Sequence, residues 1–194
     1  MAKQHKKLIF TFNSPVILGF SALCLAVLLI GKATNNASTA LLFSVYRSSL
    51  LDPFTYFRFF GHVLGHANFN HLISNLMLLL IVGPMLEEKY GSKNVIKVIV
   101  ITAFVTGLVH FIFFPKSALL GASGVVFALI LLSSFASINA GEIPVTFILV
   151  ALLYIGQQVY QGVTVSDNIS NLSHIIGGGV GSALGFLMNG NRRK

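Results

Sequence analysis

Charge is scarce in this sequence. Only 9% of its 194 residues are charged, with five Asp and Glu in total, whereas a soluble domain carries about 25% charged residues. That shortage, together with 55% hydrophobic residues and a mean hydropathy of +0.83, excludes a soluble globular protein. The single cysteine, Cys24, lies mid-way along an apolar stretch, so an internal disulfide is excluded and packing is its expected role. HExxH is absent, which removes the helical zinc-protease signature. So is GxSxG, the elbow of soluble hydrolases. Neither an internal repeat nor a low-complexity segment occurs.

The sequence does contain long apolar runs. They recur at about 15–31, 70–86, 94–114, 119–138, 143–161 and 171–188, each near the ~20 residues that cross ~30 Å of hydrocarbon as a helix. The expectation is an all-α polytopic membrane protein with six transmembrane helices in one bundle. Residues 1–14 are basic and precede an apolar run, as in a signal peptide. No small-residue cleavage site followed by a soluble domain appears, so 15–31 reads as a retained first helix.

The basic residues follow topology rather than a nucleic-acid surface, and no nucleic-acid partner is expected. Of the 13 Lys and Arg, Lys3, Lys6, Lys7, Lys89, Lys93, Lys97, Arg192, Arg193 and Lys194 fall on one side. Lys32, Arg47, Arg58 and Lys116 fall on the other. The positive-inside rule puts both termini in the cytoplasm, with 1–14 a basic cytoplasmic segment, 15–189 the membrane domain and 190–194 a basic cytoplasmic tail. The connection 32–69 is then extracytoplasmic. Its aromatic residues, Tyr46, Phe54, Tyr56, Phe57, Phe59 and Phe60, mixed with Arg47 and Arg58, suit a structure lying in the membrane interface.

In this topology spans two, four and six all begin at the outer face. Their beginnings carry the polar stretches HANFNHLISN, GASG and NLSH, so three polar signals meet at one depth, where polar groups are costly and point to function. Taken alone, Ser123 in GASG is a small packing contact. Its depth, matched by His174, turns the reading to chemistry. A serine hydroxyl needs a base to become a nucleophile, and His174 can take its proton and return it to a leaving amine. His71 and Asn75, at i and i+4, share a helix face and can donate to an oxyanion, as can backbone N–H groups at the start of the Ser123 helix. Gly121 leaves space beside Ser123. Gly124 with Ala128, and Gly177 with Gly181, form small-residue faces that let spans four and six pack closely. Asn68, Asn70, Ser74, Ser117, Gln157, Gln158 and Ser173 lie toward the outer face and can line a wet cavity.

The combination of HANFNHLISN, GPMLEEKYGS, LLGASGVVFAL and SHIIGGGVG, in that order, resembles the rhomboid family of intramembrane serine proteases. The resemblance implies a six-helix rhomboid-like bundle, a Ser123–His174 dyad, and an oxyanion hole of His71, Asn75 and the Ser123 N–H. It implies supporting roles for Arg58, His62, His66 and Glu87 in shaping the first loop and its junction with span two. Substrates would be single-span membrane proteins cut near the outer face, within a lipid bilayer and with no cofactor. Two positions depart from many relatives: Phe127 stands where a tyrosine stacks on the histidine, and Phe57 precedes Arg58 where tryptophan is common.

Other readings compete at several positions. His62 and His66 are spaced i,i+4 with His71 beyond, a spacing compatible with a metal, but no carboxylate lies near in sequence. Asp167, seven residues before His174, can orient it as a third member or be an ordinary loop carboxylate. His110 suits an interfacial or interhelical contact. For the whole chain, the rivals are a catalytically inactive helix-binding protein on the same fold and, with less support, a transporter, for which no inverted repeat is evident. A compact membrane domain with a cytoplasmic N-terminus suits a bacterial plasma membrane.

Overall fold

The computed structural model describes residues 12–134, 145, 148–150, 152–153, 156 and 168–190. Residues 1–11, most of the fifth expected span with Gln157 and Gln158, Asp167 and the tail from 191 lie outside the described residues. The helices are α1 (Pro15–Ala33), α2 (Ala37–Leu42), α3 (Pro53–Gly61), a 3-10 turn (His62–Leu64), α4 (Phe69–Tyr90), α5 (Ser92–Phe113), α6 (Ser123–Ser134) and α7 (Asn168–Gly190). Among the described residues, α1, α4 and α5 are long and apolar enough to cross a membrane, and α6 is apolar but shorter. There is no strand among the described residues, only one antiparallel bridge between Val45 and Leu119.

Helix α4 explains its own orientation. Leu72, Asn75, Leu79, Gly83, Leu86 and Tyr90 are buried, a three-and-four spacing that faces one side of a helix inward. Ile73, Met77, Ile81 and Met85 on the other side are exposed yet apolar. A helix apolar on both faces belongs in lipid. Asn75 is the polar exception in the upper part of the inward stripe. Gly91, at φ +80°, reverses the chain between α4 and α5, so the C-terminal end of α5 returns to the level of the first turns of α4.

Glu87 does not shape the first loop, as the resemblance implied. It lies at the far end of α4, twelve residues or roughly 18 Å from Asn75. Its carboxylate accepts the N–H groups of Val16 and Ile17, both at 3.0 Å, and the Ser92 hydroxyl at 2.7 Å. The reason lies in the start of α1. Ser14 makes no side-chain cap and Pro15 has no N–H, so the first free donors of the helix are those of Val16 and Ile17. A buried carboxylate (4% exposed) also complements the positive end of the helix dipole. Glu87→Ala is expected to lower stability by about 1–3 kcal/mol, read as a lower thermal midpoint in detergent; an unchanged midpoint contradicts this role.

The long connection before α4 is ordered around Arg58. Its side chain is 2% exposed, donates to the Leu41 carbonyl (2.7 Å), Asp52 (3.0 Å) and Ser48 (3.2 Å), and lies over the Tyr46 ring. Asp52 in turn caps α3 through the Phe54 N–H. Phe54, Tyr56, Phe57 and Phe60 remain exposed on α3, an aromatic surface suited to a membrane interface. Phe57 also meets Phe43 edge-on.

The helix expected to open at residue 119 begins later than the hydropathy suggests. Leu119 exchanges two backbone hydrogen bonds with Val45, each 2.9 Å, and Gly121 takes φ +129°, so helix α6 starts only at Ser123. Leu119, Gly121 and Ala122 are buried, so this irregular stretch is enclosed by protein.

Candidate active site

Ser123 is the first residue of α6, and the segment before it is held from below and from both sides. The Gly121 N–H donates to the His62 carbonyl at 2.9 Å. The Ala122 N–H makes a long hydrogen bond, 3.5 Å, to Nε2 of His66. Ser123 therefore emerges from a pinned turn, with first-turn amides that have no carbonyl partner within the helix.

On one side stands α4. Asn68 caps it by accepting the His71 N–H at 2.9 Å, so His71 and Asn75 sit one turn apart on the inward face. A Cβ at Gly121 would lie 2.8 Å from Nε2 of His71 and 3.9 Å from Nδ2 of Asn75. Both side chains thus converge on the glycine two residues before Ser123. Asn75 is 5% exposed, and its Nδ2 has no hydrogen-bond partner among the described residues. A buried donor left unpaired costs about 1–3 kcal/mol.

On the other side stands α7. The Gly177 backbone lies against the Gly124 carbonyl, and Gly181 against the Ala128 carbonyl, with no room for a Cβ at either position. This close approach brings the Ser173 carbonyl to 3.5 Å from where a Cβ on Gly124 would be. The next residue, His174, packs its ring on Phe127, centroids 4.7 Å apart and planes at 45°. Phe127 is one turn beyond Ser123 on the same face of α6. The His174 ring therefore lies against the helix face that carries Ser123. One short stretch of chain, Gly121–Gly124, has His71 and Asn75 on one flank and Ser173–His174 on the other.

Comparison with known sequences decides the family. The Rhomboid domain profile matches residues 53–191, more than two thirds of the chain. The chain belongs to the rhomboid family. Among its relatives are Rhomboid-related protein 1 of Caenorhabditis elegans, 28% identical over 140 residues, and Rhomboid-like protein 11, chloroplastic, of Arabidopsis thaliana, 26% identical over 148 residues. Rhomboid-related protein 2 of Mus musculus is 30% identical over 158 residues. These alignments cover 68%, 69% and 71% of this chain but only 39%, 53% and 52% of the relatives, so the chain spans about half their length or less.

Within this rhomboid chain, His62 and His66 act through the backbone. His62 Nε2 donates to the Ala103 carbonyl of α5 at 3.0 Å, while its own carbonyl holds Gly121. His66 Nδ1 donates to the Leu64 carbonyl at 3.1 Å, leaving Nε2 as the acceptor for Ala122. The His66 and His71 rings meet edge-on, centroids 5.0 Å apart. His110 donates to the Ser117 carbonyl, 3.1 Å away, steadying the loop that leads to Ser123. Gly107 was not singled out in the sequence. A Cβ there would meet the Phe59 carbonyl at 2.8 Å and His62 Nε2 at 3.1 Å, so it admits the 3-10 turn onto α5. The small residues Ala103 and Gly107, at i and i+4, are the signal that marks this contact.

Burial pushes the pKa of His62 and of His66 down to about 4 from 6.5. In the unfolded chain both take up protons as the pH falls below 6.5, while in the fold they stay neutral until about 4. Their contribution is therefore complete above pH 6.5, declines as pH falls toward 4, and changes no further below it. Thermal midpoints in detergent are expected to drop across that window, with a shallower drop in His66→Gln. A profile as steep in His66→Gln as in the parent contradicts this.

Proposed function

We propose that the chain is an intramembrane serine endopeptidase that hydrolyses peptide bonds in or near the transmembrane helices of single-span membrane proteins. The observation that carries this reading is the buried Nδ2 of Asn75, unpaired among the described residues, facing the bare Gly121 beside Ser123 and across from His174. In this mechanism His174 takes the Ser123 Oγ proton as the oxygen attacks the substrate carbonyl carbon. The oxyanion accepts hydrogen bonds from Asn75 Nδ2, His71 and the Ser123 N–H. His174 then gives its proton to the leaving amine, and the C–N bond breaks. Water attacks the acyl-enzyme with His174 again as base, releasing the carboxylic acid and restoring Ser123. Phe127 holds the imidazole by ring contact alone. No metal or cofactor enters the scheme.

Six spans, cytoplasmic termini and a bacterial plasma membrane belong to the same proposal, resting on the apolar periodicity and the distribution of Lys and Arg. The experiment is direct: the purified chain, reconstituted in lipid with a reporter carrying one transmembrane helix, yields two fragments. A protein that binds such helices without cutting them leaves the reporter intact.

A further inference from the structure

Helices α3 and α5 form a second concave feature, lined by none of the residues placed at the Ser123 site. A groove of about 460 Å³ opens between α3 and α5, lined by Tyr56, Phe59, Phe60, Phe104, Leu108 and Phe111, with Leu50 and Ile112 at its edges. This volume falls within the ~300–1,000 Å³ of small-ligand sites. Its one polar side-chain atom, the Tyr56 hydroxyl, donates to the Leu50 carbonyl at 3.0 Å. The groove therefore offers no hydrogen bond to an occupant. An unwound peptide would bury its N–H and C=O groups there unmet, and a helix ~10 Å across is too wide. A hydrocarbon chain meets neither objection.

The rim supplies the opposite chemistry. Arg47 is exposed, lies 5.1 Å from the centre of the Phe111 ring and donates Nη2 to the Ile112 carbonyl at 2.6 Å. Phe111 and Ile112 both line the groove, so the guanidinium is fixed at its mouth with further N–H donors to spare. The pairing of Val45 with Leu119 runs antiparallel, which brings residue 47 opposite the 116–117 end of its partner loop, where Lys116 is exposed. Of the other two basic residues assigned to this side, Arg58 is buried and paired with Asp52, and Lys32 lies over Phe69. Arg47 and Lys116 thus bring two exposed positive charges to this side of the groove.

We propose that this groove binds one acyl chain of an anionic phospholipid, with its phosphate held by Arg47. Arginine recognises phosphate through paired N–H bonds, and the apolar groove seats the chain below. A zwitterionic headgroup offers the same phosphate but also an ammonium that Arg47 and Lys116 repel, so a net anionic headgroup is preferred. The site rests on the membrane reading of the chain and not on its catalytic reading.

The test uses the purified full-length chain in neutral detergent, with phosphatidylglycerol or phosphatidylcholine of identical acyl chains, and counts lipids retained in native mass spectrometry. The parent is expected to keep one phosphatidylglycerol with about five- to tenfold preference over phosphatidylcholine. Arg47→Gln preserves a donor for the Ile112 carbonyl but removes the charge, and is expected to erase the preference. Leu108→Trp fills the groove and is expected to reduce retention of both lipids. Ser123→Ala is expected to bind as the parent does, which separates this proposal from catalysis. Equal retention of both lipids by the parent, or full preference in Arg47→Gln, overturns it. Displacement of the lipid by excess inorganic phosphate, or by a single-span peptide, also overturns it by assigning the site to another occupant.

Discussion

Ser123→Ala is expected to lower cleavage of a single-span reporter by about 10³–10⁶-fold, and His174→Ala by a similar factor. The two losses are expected to match because the groups act as one unit: without the base the hydroxyl stays protonated, and without the hydroxyl the base has nothing to activate. The double variant should be no slower than either single one. Stability gives the control. Ser123 sits at a helix start, and alanine has better helix propensity, so the thermal midpoint of Ser123→Ala should stay near that of the parent. Cleavage by Ser123→Ala at the parent rate removes the dyad from the account. A packing role for Ser123 would instead show as a shifted midpoint with cleavage retained.

Asn75→Ala carries the second largest effect. Removing one oxyanion donor costs about 10²–10³ in kcat, or 2.7–4 kcal/mol, and because the oxyanion exists only after attack, KM should change little. The structure makes the control sharp. Asn75 Nδ2 has no protein partner among the described residues, so its removal breaks no hydrogen bond of the fold and relieves the cost of a buried, unpaired donor. Asn75→Ala should therefore keep or raise its thermal midpoint while losing rate. Polar groups left unsatisfied in an otherwise apolar stripe are the places where a protein gives up stability for function. Equal loss of stability and rate would make Asn75 a structural bridge between helices.

Local features of the site were legible in the sequence. HANFNHLISN spaces His71 and Asn75 one turn apart, and the structure places both against Gly121. The small-residue spacing of Gly177 and Gly181 reads as close packing, and the two glycines do seat against the backbone of α6. What stayed hidden depends on partners distant in the chain. The role of Glu87 is not legible in the sequence, because its partners, the Val16 and Ile17 N–H groups, lie some seventy positions earlier. The helix start at Ser123 was hidden for a related reason. Hydropathy counts Leu119–Ala122 with the helix that follows, and only the pairing of Leu119 with Val45 shows that this segment is extended. The aromatic first loop was recognisable by composition, but its helices α2 and α3 are short and are held by Arg58 across several turns.

The central claim is that Ser123 is a nucleophile activated by His174, and covalent labelling tests it most directly. A fluorophosphonate probe should attach to the membrane-reconstituted parent, with the adduct mapped to Ser123 by peptide mass spectrometry. Labelling should vanish in Ser123→Ala and fall steeply in His174→Ala. An adduct at another residue, or labelling of His174→Ala at the parent rate, contradicts the account.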